Sequence, residues 1–470
     1  MFNFLFGIVL ARLLVPEDFG LLVTVQIFTG VAGLIAGGGM GQALVRSKEA
    51  SEHDFNAVFT LQLGMCVLIY GFFYTIAPFF ARWYQEPLYE TLLRVTALNF
   101  LLRPLVGNHN AWLHREMRFK AHSIIALVTG IVVSLASIFM AWMGMGVWSL
   151  ALSGILGSLV NWILLSRQTP LRPQLAFDRA TMRKVSGVGI KFSMLDIVSY
   201  LRGQTSNFVI GRIAGPAAVG LFNKAESLAK LPFTTLSSAV YQPLFRAMAA
   251  EQGNIDRSKY LYFQSVTLLL VYTLPAYITF SWLAEPFITV VYGPKWVEAA
   301  APLSILAWAW IFSCFNHPAG ALLAAQNRLG QELLVQIISL VLNILACIIG
   351  MRWGLTGVAW GLLATRLYTL SHMGFLVSKC IPVRTRDYVS AIKPGLILGS
   401  MTCFALFASW AFSPIESATV QQAIYLGGAL IAAGLAFISS LLFLPIPEIT
   451  TESDRWKKSL RLMKTNQDKK

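Results

Sequence analysis

The sequence predicts an all-α protein that crosses a membrane many times. Of its 470 residues, 56% are hydrophobic and 13% are charged, with a mean hydropathy of +0.63. An ordinary soluble domain carries about 25% charged residues, so this chain has too little polar surface to cover itself in water. The apolar residues come in runs of about 20, the length of helix that spans a hydrocarbon core of about 30 Å. They do not alternate with polar residues in the short segments of a membrane barrel. The lysines and arginines gather in every second break between the runs, as they do in polytopic helical proteins.

Fourteen helical windows follow in order. The first, 2–15, provides only about 20 Å of helix at 1.5 Å per residue, short of the hydrocarbon thickness. The native chain is therefore expected to start roughly 15–25 residues upstream. Windows 20–45, 56–82, 88–111, 120–142 and 146–166 complete a bundle of six helices over residues 1–166. Residues 167–184 carry two prolines and five basic residues and are expected to link two halves at the cytoplasmic surface. A second six-helix bundle, 185–378, is formed by windows 185–211, 217–245, 260–291, 299–325, 331–351 and 354–378. Windows 388–411 and 421–444 add two helices over 388–444, and 445–470 is a basic tail.

The net charge of +15 raises nucleic acid as a partner, but its placement explains it otherwise. One set of breaks plus the tail holds 24 lysines and arginines, against five in the alternate set: Arg12, Arg82, Arg212, Lys295 and Arg352. The asymmetry puts both termini and the 167–184 linker in the cytoplasm, with the basic excess beside an anionic leaflet. Nucleic-acid binding is not needed. The five cysteines are scattered without a CxxC pair, and the six histidines lack ligand spacing, so no metal or cofactor is expected.

A repeat organises the chain. "ARLLVPEDFGLL" at 11–22 shares Arg12, Pro16, Gly20 and Leu21 with "GRIAGPAAVGLF" at 211–222, where they return as Arg212, Pro216, Gly220 and Leu221. A fainter echo links "GMGVW" at 144–148 with "GLTGVAW" at 354–360. The copies are six windows apart, an even number, so they keep one orientation, as parallel repeats do. Proline stops a helix, glycine permits a tight reversal, the arginine can reach phosphates or helix-end carbonyls, and each corner is expected to be a hairpin turn on the outer surface.

Several segments resemble a family. "LARLLVPEDFG" at 10–20, "REMRFK" at 115–120, "GMGVWSLALSG" at 144–154, "VIGRIAGPAAVGLFNKAESLAKLP" at 209–232 and "VVYGPKW" at 290–296 are similar to signatures of the polysaccharide transporters. These are a branch of the multidrug/oligosaccharidyl-lipid/polysaccharide exporter superfamily, and the likeness is to its O-antigen, colanic-acid and exopolysaccharide flippases over residues 5–380. The resemblance implies translocation of an undecaprenyl-diphosphate-linked oligosaccharide across a bacterial inner membrane, with no enzyme chemistry and no catalytic residue. It also implies membrane lipids, a polysaccharide polymerase and a chain-length regulator as partners.

Ionisable side chains at bilayer depth cost about 2.5–3.5 kcal/mol each on insertion scales and so mark partners or wet cavities. The windows place Arg94, Arg103, Lys191, Asp196, Arg202, Lys224, Glu226, Lys230 and Arg366 there, seven cations to two carboxylates. Such a set favours anionic cargo, which guanidinium groups bind bidentately. The candidate headgroup contacts, in order, are Arg202, Lys191, Arg366, Arg94 and Arg103. Arg202 leads because it sits in a polar run, "SYLRGQTSN", suited to the wall of a water-filled cavity, and because Lys191 shares its helix face. Glu226 and Lys230 have the spacing of an i,i+4 ion pair, and Asp196 and Glu226 are the candidates for ion coupling. Three other functions compete. A membrane glycosyltransferase or polymerase would need an external loop larger than "MGMG" or "GPKW". A multidrug or organic-cation antiporter would need carboxylates in its cavity. A scramblase or peptidoglycan-precursor flippase would use similar chemistry on another lipid.

Overall fold

The computed structural model describes residues 2–37, 40, 44, 51–177, 179–250, 253–412 and 419–459, with no side chains described over 179–196. The described secondary structure is helical throughout: α1 (Phe2–Leu13), α2 (Pro16–Gly37), α3 (Glu52–Tyr84), α4 (Leu88–Ala97), α5 (Asn99–Arg115), α6 (Phe119–Trp142) and α7 (Val147–Gln168) come first. Then follow α8 (Arg179–Ala250), α9 (Ile255–Trp282), α10 (Ala284–Val291), α11 (Ala300–Ile311), α12 (Ser313–Ala325), α13 (Leu329–Gly350) and α14 (Gly354–Ser378). The last three are α15 (Thr385–Phe412), α16 (Thr419–Phe443) and α17 (Thr450–Ser459).

The turns follow from their residues. Ser51 caps α3, its hydroxyl accepting from the Asp54 backbone N–H while the Asp54 carboxylate accepts from Ser51 N–H at 2.8 Å. Both "GVW"-type echoes enter a helix through a left-handed glycine, Gly146 at φ 51° and Gly354 at φ 68°. At the second repeat corner Gly215, at φ 80°, interrupts α8, and Pro216 begins the next stretch of helix.

Among the described residues, nine helical runs are long and apolar enough to cross a membrane, one of them, Leu329–Ser378, holding the two windows 331–351 and 354–378. Four of the fourteen windows fall outside these runs: 2–15, 88–111, 185–211 and 217–245. The first is short. Window 88–111 is broken into helices of 10 and 17 residues, and the other two hold six of the nine ionisable groups, which lowers their hydropathy. Three windows are also split: 88–111 at Leu98, 260–291 at Leu283, and 299–325 at Phe312.

The chain divides into two compact units, Met1–Asn223 and Lys224–Lys470. The division falls beyond the 167–184 stretch, and the packing of the first unit explains why. Non-helical residues 169–177 lie bonded against it: Thr169 Oγ1 meets His109 Nδ1 at 2.6 Å, and Ala176 N–H donates to Thr60 Oγ1 at 2.8 Å. Beyond them the first part of α8 returns onto α2 and α3, with Phe208 against Phe28 at 6.0 Å and the Arg212 guanidinium 5.3 Å over the Trp83 ring. The core of the first unit is aromatic, built on Phe73, Phe80, Tyr84, Tyr89 and Phe100. In the second unit, Leu406, Tyr425, Leu426 and Ala429 join α15 and α16.

Candidate functional site

The first unit holds an open, part-polar cavity of about 570 Å³. Four helices each contribute one stripe. On α2, Gln26, Thr29 and Gly30 fall within one turn; on α5, Asn99 and Arg103 are four apart; on α8, Tyr200 and Gln204 are four apart; on α7, Gly154 and Ser158 keep the same spacing. Amides, hydroxyls and one guanidinium thus converge on a common space. Arg103 is exposed there, although about 22 Å of helix separates it from the start of α4. The lining mixes these polar groups with apolar ones, Leu22, Phe100, Val106, Leu150 and Ala151.

Glycines on α2 make the fit. The hydroxyl of Tyr200 occupies the place a Gly30 side chain would need, and it donates to the Gln26 carbonyl at 2.7 Å. Likewise the Arg103 Nη1 fills the place of a Gly33 side chain, whose β-carbon would also lie 3.3 Å from the guanidinium carbon. Arg103 therefore lies along α2 with its charge facing the cavity. Such a group can bind a phosphate-type anion in two contacts without displacing a resident carboxylate. No Asp or Glu lines this space among the described residues.

The other candidates are placed differently. Arg202 lies two residues from both Tyr200 and Gln204, about 200° around the helix at 3.6 residues per turn, so it points away from the face that lines the cavity. The polar run does form a cavity wall, through its neighbours. The side chains of Lys191 and Asp196 lie outside the described residues. Arg94 is held by Glu90 at 2.9 Å and by the Tyr74 ring at 4.6 Å, away from the cavity. The signal for that pairing is the i,i+4 spacing of Glu90 and Arg94 within window 88–111.

In the second unit Arg366 is cradled. Its guanidinium carbon lies 3.9 Å from the centre of the Trp310 ring, and its Nη1 donates to Ser313 Oγ at 2.8 Å. Glu226 has Arg366 as its first electrostatic partner and Lys230 as its second. The expected Glu226–Lys230 ion pair is not among the close ion pairs found between described residues, such as Arg94–Glu90 and Lys259–Asp387. Lys230 Nζ instead faces Trp310 at 5.8 Å. Lys224 stands over Tyr292 at 4.5 Å and Trp296 at 5.4 Å, both supplied by "VVYGPKW", so that signature seats a half-buried lysine. A second cavity of about 410 Å³ in this unit is almost wholly apolar, lined by Tyr272, Phe280, Leu283, Phe287, Leu430 and Phe437 among others. Among the described residues, no cluster of three metal-ligating side chains is found.

Residues 9–301 match the family described as "Polysaccharide biosynthesis protein". The chain is 23% identical over 351 residues to the lipopolysaccharide biosynthesis protein WzxC of Escherichia coli (strain K12), covering 73% of this chain and 70% of that protein. It is 23% identical to the teichuronic acid biosynthesis protein TuaB of Bacillus subtilis (strain 168), over 64% of this chain and 62% of that protein. With the succinoglycan biosynthesis transport protein ExoT of Rhizobium meliloti (strain 1021) the identity is 24%, over 64% of this chain and 60% of that protein. Among solved structures, the lipid II flippase MurJ in an inward closed conformation matches with a TM-score of 0.75 at 14% identity, over 92% of this chain and 95% of that one. An inward-facing multidrug resistance MATE family transporter of the MOP superfamily matches at 0.64 and 17% identity, over 83% and 94%. At these identities the structural likeness establishes the fold: an all-helical membrane protein built like the MurJ and MATE proteins.

Proposed function

From the chain's membership of the polysaccharide biosynthesis protein family, we propose that it carries an undecaprenyl-diphosphate-linked oligosaccharide repeat unit across the bacterial inner membrane for lipopolysaccharide or exopolysaccharide assembly. As a member of that family it is a membrane transporter of polysaccharide biosynthesis and not an enzyme. The observation that supports the cargo most is Arg103, an exposed cation in a cavity that brings amides and hydroxyls together with apolar side chains and, among the described residues, holds no carboxylate. A diphosphate satisfies a guanidinium in two contacts, sugars satisfy amides and hydroxyls, and an organic cation satisfies neither. The apolar cavity of the second unit offers a surface for the hydrocarbon of the carrier.

In this reading fourteen helices span the bilayer as two parallel bundles plus two, with both termini and residues 167–184 cytoplasmic and both repeat corners outside. Arg103 is the first headgroup contact, Arg366 serves the second unit, Lys191 meets the headgroup along the route, Arg202 stands behind the cavity wall, and Glu226 and Asp196 carry ion coupling. The polymerase and chain-length regulator take over on the far side. Removing the protein from its native cell tests the reading. Undecaprenyl-linked oligosaccharide should accumulate on the cytoplasmic face and surface glycan should disappear. Unchanged glycan display, with a changed tolerance of cationic drugs, would overturn it in favour of an antiporter.

A further inference from the structure

The apolar cavity of the second unit ends beside a polar helix. Along α9 its lining runs from Tyr272 to Leu283, and along α16 from Phe437 to Leu430. The α9 stretch is about 16 Å long at 1.5 Å per residue, the depth of one leaflet in a hydrocarbon core of about 30 Å. Leu430 in the wall is exposed, so the cavity opens sideways to the bilayer. Inside, the Thr279 hydroxyl donates to the Pro275 carbonyl and the Thr402 hydroxyl to the Leu398 carbonyl, each at 2.9 Å. These two hydroxyls therefore leave no unmet donor facing a hydrocarbon guest.

At the Tyr272 end, where the Phe437 ring meets the Tyr272 ring edge-on at 6.2 Å, the α16 helix is about to stop. Leu441 of α16 packs in one cluster with Val271 of α9 and with Ile446 and Ile449, which lead into α17. Ser453 Oγ donates to the Leu442 carbonyl at 3.3 Å and fixes α17 at this level. Two α17 side chains then meet Tyr272. The Trp456 indole N–H donates to the Tyr272 hydroxyl at 3.0 Å, and that hydroxyl donates to Glu452 Oε2 at 3.3 Å. The other oxygen of Glu452 accepts from Arg455 Nη1 at 2.8 Å. Three short contacts thus lead from the cavity wall to a guanidinium whose side chain is 72% exposed, whereas Glu452 is turned inward.

We propose that the cavity and α17 together bind an anionic phospholipid of the cytoplasmic leaflet, with one acyl chain in the cavity, its glycerol region beside Trp456 and its phosphate on Arg455. The order of the site is that of the lipid: hydrocarbon, then an exposed indole of the kind found at membrane interfaces, then a cation. Charge favours an anionic headgroup, since residues 455–470 hold seven lysines and arginines and one aspartate. Arg455 is available because an exposed ion pair contributes little, and its remaining N–H groups can take a phosphate oxygen while Glu452 keeps Nη1. The leaflet follows from the cytoplasmic C-terminus of the proposed topology. The site needs only a bilayer and stands whether or not the cargo is a lipid-linked glycan; if it is, phospholipid and carrier share one apolar surface.

Native mass spectrometry of the full-length protein, purified in detergent, tests this by counting the first bound lipid. The probes are phosphatidylglycerol, phosphatidylcholine and undecaprenyl phosphate. The parent should prefer phosphatidylglycerol to phosphatidylcholine several-fold. Arg455→Gln should bring the two level and leave phosphatidylcholine near its parental affinity, because only the headgroup contact has gone. Gly434 lines the cavity, and a β-carbon there meets nothing within 4 Å. Gly434→Leu should therefore fill the space and weaken both phospholipids several-fold at unchanged thermal stability. Gly64→Leu, equally open but on α3 of the first unit, should change neither. A preference for phosphatidylglycerol that survives Arg455→Gln, or parental binding of both phospholipids by Gly434→Leu, would show that the site is not there. Undecaprenyl phosphate that outcompetes phosphatidylglycerol in the parent and is lost in Gly434→Leu would assign the cavity to the carrier and overturn the phospholipid assignment.

Discussion

The two units hold an arginine each in opposite ways. In the first, Arg103 lies along glycines of α2 and faces a cavity of about 570 Å³ among amides and hydroxyls. In the second, Arg366 is pressed on Trp310 at 3.9 Å, bonded to Ser313, and electrostatically coupled to Glu226. One guanidinium is left for a visitor, whereas the other already has its aromatic face, its acceptor and its counter-charge. The difference teaches that an intramembrane cation acquires its role from what fills the space around it, and not from its depth.

The largest expected effect separates these roles. Arg103→Ala should lower glycan export about tenfold or more, since it removes a charge-assisted bidentate contact, with near-normal protein abundance because the side chain faces water. Arg366→Ala should do the reverse first: the loss of the ring stack and the hydrogen bond, on the order of 2 kcal/mol, should reduce abundance and thermal stability. Immunoblotting beside surface-glycan display distinguishes them. If Arg103→Ala depletes the protein and Arg366→Ala does not, the contrast between the units is reversed.

How far this contrast was legible in the sequence depends on the element. The helices were legible because a bilayer demands long apolar runs, and each of the fourteen windows contains helix in the structure. The interruption at Leu283 has a sequence mark, Pro286, which lacks the N–H that a continuous helix would bond to Trp282, whereas no proline or glycine stands as near to Leu98 or Phe312. The site was half legible. The run "SYLRGQTSN" marked a polar wall, yet the sequence put Arg202 first and Arg103 last. What puts Arg103 and not Arg202 at the cavity is helical phase, with Tyr200 and Gln204 on the cavity face and Arg202 opposite, together with the space that Gly33 leaves for a guanidinium from another helix. A glycine stripe at 30, 33 and 37 was visible, but its partner was not, since nothing local names the side chain that will fill the gap.

Smaller effects sharpen the comparison. Gly33→Ala should displace the Arg103 guanidinium, the flexible end of a long side chain, and so give a fewfold loss of export at normal abundance; Arg103→Ala in that background should add little beyond its own effect if the two act on one contact. Arg202→Ala should have a weaker effect than Arg103→Ala when export is scored at matched abundance. Smallest of all, Arg94→Ala removes a partly exposed ion pair worth about 0.2–1 kcal/mol and should leave export within about twofold. A loss at Arg94 as large as that at Arg103 would mean that the cavity does not select among the arginines.

The most direct measurement is equilibrium binding of short-chain polyprenyl ligands to the purified full-length protein and to Arg103→Ala. The parent should bind the diphosphate more tightly than the monophosphate, and the monophosphate more tightly than the uncharged alcohol. Arg103→Ala should compress that order while keeping its affinity for the alcohol, because only the headgroup contact has gone. Equal preference for the diphosphate in both proteins, each folded, would show that the headgroup is read somewhere other than the Arg103 cavity.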